Sequence, residues 1–158
     1  MIWLWLSIGV ALSGVALWLC WKPLRRLGGA IQIERAQESF VLQRERIQAR
    51  FIDAAAATGK PRGLRWKDCA FETEFEFARE RESRQLLALV PVTIEFEAVE
   101  GSDMEGLPAV GNLRNATAVF YFDGGQWRTV GKTVFNMNPS EAILHFHSQY
   151  EPVAVVRH

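Results

Sequence analysis

Residues 31–58 read IQIERAQESFVLQRERIQARFIDAAAAT, and this stretch decides the fold. It contains neither glycine nor proline, and its apolar residues recur at the three- and four-residue steps that mark one helix face. These residues are Ile33, Ala36, Phe40, Ile47, Phe51 and Ala54. Four of them keep a seven-residue repeat, but Gln43 and Arg50 occupy the complementary positions, so the apolar seam is too weak for a coiled coil. We therefore predict a long amphipathic helix that packs on a sheet and ends at Gly59–Pro61.

The chain before this helix begins with an uncharged apolar run. Residues 2–21 read IWLWLSIGVALSGVALWLCW, and as a helix they span about 30 Å, the thickness of a bilayer's hydrocarbon core. Tryptophans flank the run and basic residues follow it, as membrane-interface anchors do. These anchors are Trp3, Trp5, Trp18, Trp21, Lys22, Arg25 and Arg26. We predict a transmembrane anchor over residues 1–22 with the lipid bilayer as its partner, then a hinge over 23–29, where Pro23 and Gly28 interrupt helix.

The anchor's orientation follows from the position of its charges. Lysine and arginine lie only on the C-terminal side of the apolar run, so the positive-inside rule predicts a single-pass, N-out/C-in protein with its domain in the cytoplasm. An exported domain is the alternative. A cleaved signal peptide is disfavoured, because no basic residue precedes the run and its Trp18–Trp21 end is too bulky for signal peptidase. Cys20 and Cys69 lie in the anchor and in a predicted strand, so we expect no disulfide.

After the helix, the hydrophobic period becomes two. Residues 69–77, CAFETEFEF, alternate apolar and acidic side chains, which is typical of a half-buried strand with its glutamates in water. Residues 86–98, 112–122 and 127–137 predict three more strands. Pro91 has no N–H to donate, so we expect an edge or a bulge at that point of the second strand.

Turn and cap residues complete the domain. Asp123-Gly124-Gly125 predicts a tight hairpin, and Asn138-Pro139-Ser140-Glu141 predicts the start of a short helix. We predict an α+β domain over residues 30–150, the long helix packed on a four-stranded antiparallel sheet, with a tail over 151–158. By element order alone, this layout resembles the cystatin-like and NTF2-like architectures, and the resemblance implies a possible pocket between helix and sheet.

Candidate catalytic and metal-binding residues are few. The sequence has no nucleophile elbow, phosphate loop, HExxH or paired CxxC. His145 and His147 are two residues apart on a predicted helix, which places them on different faces. The loop acids Glu100, Asp103 and Glu105 lack the spacing of a calcium loop. We therefore expect no enzyme activity, no cofactor and no metal.

Charge is unevenly distributed, although the net formal charge is zero. By count from the sequence, residues 22–67 hold eleven Lys or Arg and four Asp or Glu, whereas residues 68–158 hold seven and fourteen. A positive membrane-proximal half suits an anionic lipid surface. It is equally consistent with a helix and a sheet that complement each other's charge. The aromatic residues of the domain fall mostly in the acidic half, so nucleic acid is not expected as a partner.

Aromatic side chains suggest where the domain makes contacts. Phe120, Tyr121 and Phe122 make at least one sheet face more aromatic than one helix can cover, so this triplet is our candidate interaction face for a protein partner or a second copy.

The leading hypothesis is a membrane-anchored, non-enzymatic binding or assembly module. The alternatives are a small-ligand-binding or catalytic pocket domain of NTF2-like type and a pilin-like subunit. The pilin resemblance covers element order only, and Trp5 stands where pilins need glutamate.

Overall fold

The computed structural model describes residues 32–57 and 63–154. The chain divides into two compact units, Met1–Ala36 and Gln37–His158. Of the first unit, only the opening residues of the long helix are described. The predicted transmembrane anchor and hinge lie outside the described residues. Within the described ranges, no helix combines the length and the apolar character needed to cross a bilayer.

The described elements are two α-helices, one 3₁₀ turn and seven strands. Helix α1 covers residues 32–57. The others are β1 (Leu64–Phe71), β2 (Glu76–Glu80), β3 (Leu86–Ala98), the 3₁₀ turn (Pro108–Gly111), β4 (Arg114–Asp123), β5 (Gln126–Arg128), β6 (Thr133–Phe135), α2 (Pro139–His145) and β7 (Tyr150–Val153). The predicted α+β class, with a long helix, a short helix and an antiparallel sheet, is confirmed.

The four predicted strands are present, but two of them are divided. The sheet has the order β5-β4-β3-β2-β7, with β1 also paired to β3 and β6 also paired to β4. The long strands β3 and β4 therefore form its centre. Strands β1 and β2 share one flank of β3, while β5 and β6 share the far flank of β4. The predicted tail begins within β7, which pairs with β2. Within the described residues the sheet thus has seven strands rather than four.

Pro91 explains the first division. The register runs from Phe71↔Val92 to Glu76↔Leu89, so residues 72–75 form a bulge opposite Pro91. The Pro91 carbonyl accepts a hydrogen bond from the Glu72 N–H at 3.0 Å. The N–H and C=O of one residue in an antiparallel strand point to the same side. At Pro91 the C=O points towards residues 72–75, but proline has no N–H to donate to them, so regular pairing is interrupted there. The sequence predicts an edge or a bulge in the strand that carries Pro91; β3 is instead a central strand, and the irregularity lies in the neighbouring residues 72–75.

Gly131 explains the second division. It lies between β5 and β6 with φ +74°, a left-handed conformation that favours glycine. A Cβ at this position would lie 2.4 Å from the main-chain nitrogen of Ala55 and 2.6 Å from its Cα. The last turns of α1 therefore rest directly on the Gly131 backbone, and the strand bends to let the helix approach.

One face of the sheet curls around α1. Phe77 of β2 and Trp127 of β5 are 5.9 Å apart between ring centroids, although β3 and β4 lie between their strands. Three inter-strand spacings in a flat sheet would be about 14 Å, so the sheet is strongly concave. Phe40 fills this concave face, with ring centroids 5.8, 5.7 and 4.9 Å from Phe77, Phe120 and Trp127.

The opposite face of the sheet carries a second, smaller core. Leu87, Leu89 and Val119 pack there with Ala142 and Ile143 of α2 and with Tyr150 of β7; all six are buried. Asn138 caps α2 as predicted, because its side chain accepts the Glu141 N–H while the Glu141 carboxylate accepts the Asn138 N–H, a complete capping box. This capping and the apolar contact fix a helix that is too short to be stable alone.

Candidate functional site

The concave face holds aromatic side chains where a pocket domain would hold a ligand. Phe40 and Phe51 of α1 are fully buried, and the Phe51 ring lies 5.5 Å from Phe120 and 5.7 Å from Phe71. Trp66 closes the edge of this core, 6.3 Å from Phe51 and 5.2 Å from Phe96. Among the described residues, the space between helix and sheet is thus occupied by packed rings.

Two buried polar residues have structural partners. Within residues 32–57 and 63–154 these residues are Gln37 and Thr117, whereas Nε2 of the half-buried Gln48 is buried without a hydrogen-bond partner. Gln37 donates from Nε2 to the carbonyl oxygen of Ala154 at 2.9 Å, which ties α1 to the residue after β7. Thr117 donates from Oγ1 to the carbonyl oxygen of Met137 at 2.8 Å. No buried acid or histidine lies in the described interior, although the alternative of a catalytic pocket requires one.

The predicted aromatic triplet does not form one exposed face. Phe120 is fully buried against α1, because Phe40 and Phe51 offer more ring surface than the sequence pattern suggested. Tyr121 packs against the core on the α2 side, as the period of two along a strand requires. Phe122 is half-buried beside Trp127, with 5.2 Å between ring centroids. Phe120 is therefore a core residue, and Tyr121 and Phe122 point to opposite faces.

Among the described residues, one concave surface is a groove beside the strand break. It has a volume of about 710 Å³ and lies between the break and the start of α2, lined by Glu72, Glu74, Phe75, Glu76, Pro91 and Asn138 among others. A second hollow of about 550 Å³ shares Glu72, Pro91 and Asn138 and extends to Leu113, Arg114 and Met137. We refer to the two together as the groove. The volume of each hollow is within the range of ligand sites in proteins, about 300–1,000 Å³.

Arg44 of α1 holds one wall of the groove. Its guanidinium donates to the carbonyl oxygen of Thr73 at 2.6 Å and to that of Glu72, and it lies 5.4 Å from the centroid of the Phe75 ring. Burial lowers the pKa of Arg44, but a guanidinium stays protonated at neutral pH. The carbonyls that lose a strand partner at the break therefore bind a cation on the long helix.

The other wall is built by the capped start of α2. Ser140 donates from Oγ to the Glu76 carboxylate, so β2 and α2 are joined across the groove. The Glu141 carboxylate accepts the Asn138 N–H in the capping box of α2. Among the described residues, four glutamates line the groove, Glu72, Glu74, Glu76 and Glu141. The cations at the groove are Arg114 in the lining and Arg44 on the wall formed by residues 72–75. The groove therefore combines apolar side chains, such as Pro91 and Leu113, with a negatively charged rim.

The histidines and loop acids considered in the sequence do not come together in one site. His145 packs edge-on against Phe146, with 4.8 Å between ring centroids, and His147 is exposed with Nδ1 3.1 Å from the carbonyl oxygen of Leu144. Glu105 accepts the Gly101 N–H at 2.8 Å and so shapes its own loop. In the part of the chain that the structure describes, no three His, Cys, Asp or Glu side chains are grouped as a metal site. The membrane-interface residues from Trp3 to Arg26 lie outside it.

Two groove features escaped the sequence analysis. Glu72, Glu74 and Glu76 alternate in the sequence, a pattern that predicts one solvent face of a continuous strand, and the sequence does not show that Pro91 lies opposite them. The contact of Arg44 with the strand break could not be predicted, because an arginine on an amphipathic helix is ordinarily solvated. No family model, curated protein or solved structure matches this chain.

Proposed function

We propose that this chain is a membrane-anchored, non-enzymatic binding module that takes an extended segment of a partner protein in the groove. The anchor rests on the apolar run of residues 2–21 and the basic residues after it, with the domain in the cytoplasm. The groove carries the binding part of the proposal, because it is a concave surface that neither α1 nor α2 fills.

The chemistry of the rim indicates the kind of segment. Four glutamates against two arginines, Arg114 and Arg44, give the groove an excess of negative charge, which favours lysine or arginine side chains in the bound segment. Pro91, Leu113 and Met137 line the groove between these charges and favour apolar side chains in alternate positions of an extended chain. The partner is therefore expected to present alternating basic and apolar residues.

A binding measurement tests this proposal on the full chain in nanodiscs of zwitterionic lipid. The probe is a fluorescein-labelled peptide of alternating lysine and valine, followed by fluorescence anisotropy. The double variant Glu72→Gln/Glu74→Gln removes two rim charges, and exposed ion pairs contribute about 0.2–1 kcal/mol each, so the affinity should fall about two- to thirtyfold. The double variant Glu45→Gln/Glu100→Gln removes two exposed charges away from the groove lining and is the matched control.

The proposal is contradicted if the labelled peptide does not bind, or if both double variants weaken binding equally. A peptide of alternating glutamate and valine should bind far more weakly than the lysine peptide. Equal binding of the two peptides would show that rim charge does not select the partner.

A further inference from the structure

A cluster of arginines lies at the far end of β2. The register between β2 and β7 places Arg79 directly opposite Glu151, with 3.7 Å between Arg79 Nη1 and Glu151 Oε1. The turn after β2 brings Arg81 and Arg84 to the same carboxylate, at 3.5 Å and 3.0 Å. One carboxylate therefore contacts three guanidinium groups, which we name the arginine cluster (Arg79, Arg81, Arg84 and Glu151).

The main chain holds this cluster in place independently of the carboxylate. Arg81 donates from Nε to the carbonyl oxygen of His147 at 3.0 Å, and its N–H donates to that of Gln149 at 2.7 Å. Arg84 has φ +61°, a left-handed conformation that costs a non-glycine residue about 1–2 kcal/mol. The turn thus keeps a strained arginine that a glycine or asparagine would replace without strain.

The cluster carries more positive than negative charge at its centre. Three guanidinium groups share the single negative charge of Glu151, and in the described part of the chain Arg81 and Arg84 form no other ion pair. The nearby Glu80 accepts a hydrogen bond from Ser83 Oγ. The side chains of Arg81 and Arg84 are 51% and 59% exposed, so their remaining N–H donors face solvent.

We propose that the arginine cluster binds a phosphomonoester anion. A guanidinium presents a planar fork of donors that matches two phosphate oxygens, and two such forks with one shared carboxylate form an anion site. Glu151 orients the forks and at the same time competes with the ligand for them. Glu80 and Glu82 add negative charge in the same turn, so the affinity is modest, with a Kd of about 1 mM.

Titration with inorganic phosphate, followed by ³¹P NMR line width, tests this site on the full chain in neutral detergent micelles. The double variant Arg81→Gln/Arg84→Gln is expected to weaken phosphate binding at least about tenfold. The double variant Arg65→Gln/Arg128→Gln is the matched control, because each of these exposed arginines pairs with one carboxylate, Glu97 and Asp123, and it should bind as the wild type does.

The variant Glu151→Gln separates a ligand site from a structural ion-pair cluster. A phosphate site should bind more tightly without the competing carboxylate. A purely structural cluster should lose thermal stability and gain no affinity. Absence of phosphate binding in the wild type and in Glu151→Gln, or an equal loss in the Arg65/Arg128 control, overturns the proposal.

A second experiment, in lipid nanodiscs, distinguishes a lipid headgroup from a free phosphate compound as the source of the phosphate group. The full chain is placed in nanodiscs of equal surface charge that contain either phosphatidic acid, whose headgroup is a phosphomonoester, or phosphatidylglycerol, whose headgroup is a phosphodiester. Lower affinity for free phosphate in the phosphatidic acid discs than in the phosphatidylglycerol discs identifies the lipid headgroup as the ligand source, whereas equal affinity identifies a free phosphate compound.

Discussion

Gly131 is the residue at which α1 and the sheet come closest. An alanine there would be strained by the left-handed φ and would place its Cβ 2.4 Å from the Ala55 nitrogen. We expect Gly131→Ala to lower the free energy of unfolding by more than about 2 kcal/mol, measured by urea denaturation. Gly125 also has a left-handed φ, but a Cβ there would meet no atom within 4 Å, so Gly125→Ala should cost only about 1 kcal/mol. Equal losses would show that the helix does not rest on Gly131.

Cys69 is a half-buried thiol whose reactivity should depend steeply on pH. Burial first, and the Asp68 charge second, raise its pKa to about 11, so its thiolate is scarce at neutral pH. With Cys20 replaced by serine, the rate of iodoacetamide reaction should rise about tenfold per pH unit up to pH 10 without a plateau. A reaction rate that stops rising near pH 9 would contradict the raised pKa. The urea-unfolded chain, whose Cys69 is exposed to solvent, gives the reference curve of rate against pH.

The same shift predicts how stability responds to alkali. The folded state keeps the Cys69 proton more tightly than the unfolded chain does, because its pKa is raised from 9.0 to about 11. The stabilisation is therefore complete below pH 9 and is lost as the pH rises from 9 towards 11. Replacement of Cys69 by alanine should reduce this alkaline loss.

At the scale of elements, the strand break and α1 depend on one another through Arg44. Its hydrogen bonds to the Thr73 and Glu72 carbonyls replace the pairing that the bulge interrupts. In Arg44→Gln these carbonyls lose a charged donor, so we expect faster amide hydrogen exchange at residues 72–76 and weaker peptide binding in the groove. Arg46→Gln, an exposed change on the same helix, is the control. Unchanged exchange in Arg44→Gln would remove the proposed link between helix and groove.

At the scale of the whole molecule, the predicted topology is testable by thiol labelling. A chain without Cys20 and Cys69 receives a single cysteine, either Ile2→Cys before the apolar run or Glu82→Cys in the turn after β2. With the N-out/C-in arrangement, an impermeant maleimide should label the Ile2 variant in intact cells and leave the Glu82 variant unlabelled until the cells are permeabilised. The reverse pattern would place the domain outside the cytoplasm and favour the exported alternative.

Local sequence patterns determined the elements of this domain. The three- and four-residue steps around Phe40 and Phe51 predicted α1, and the period of two predicted the strands, because burial of one face imposes these repeats. The period of two also predicted the bounds of β3. The Gly124-Gly125 hairpin and the Asn138 cap were predicted because each depends on the φ angles or hydrogen bonds of a few neighbouring residues. The capping of α2 needed no knowledge of the rest of the chain.

The tertiary structure alone decided which strands divide, which rings are buried and where the groove lies. The pairing of β7 with β2, the seat of α1 on Gly131 and the burial of Phe120 join residues far apart in sequence. Hydrophobic periodicity shows that a face is buried, but it does not show how much ring surface the opposing helix supplies. The sequence therefore determined the fold class, whereas the curvature of the sheet filled the space beneath α1 with aromatic rings and left the groove beside α2.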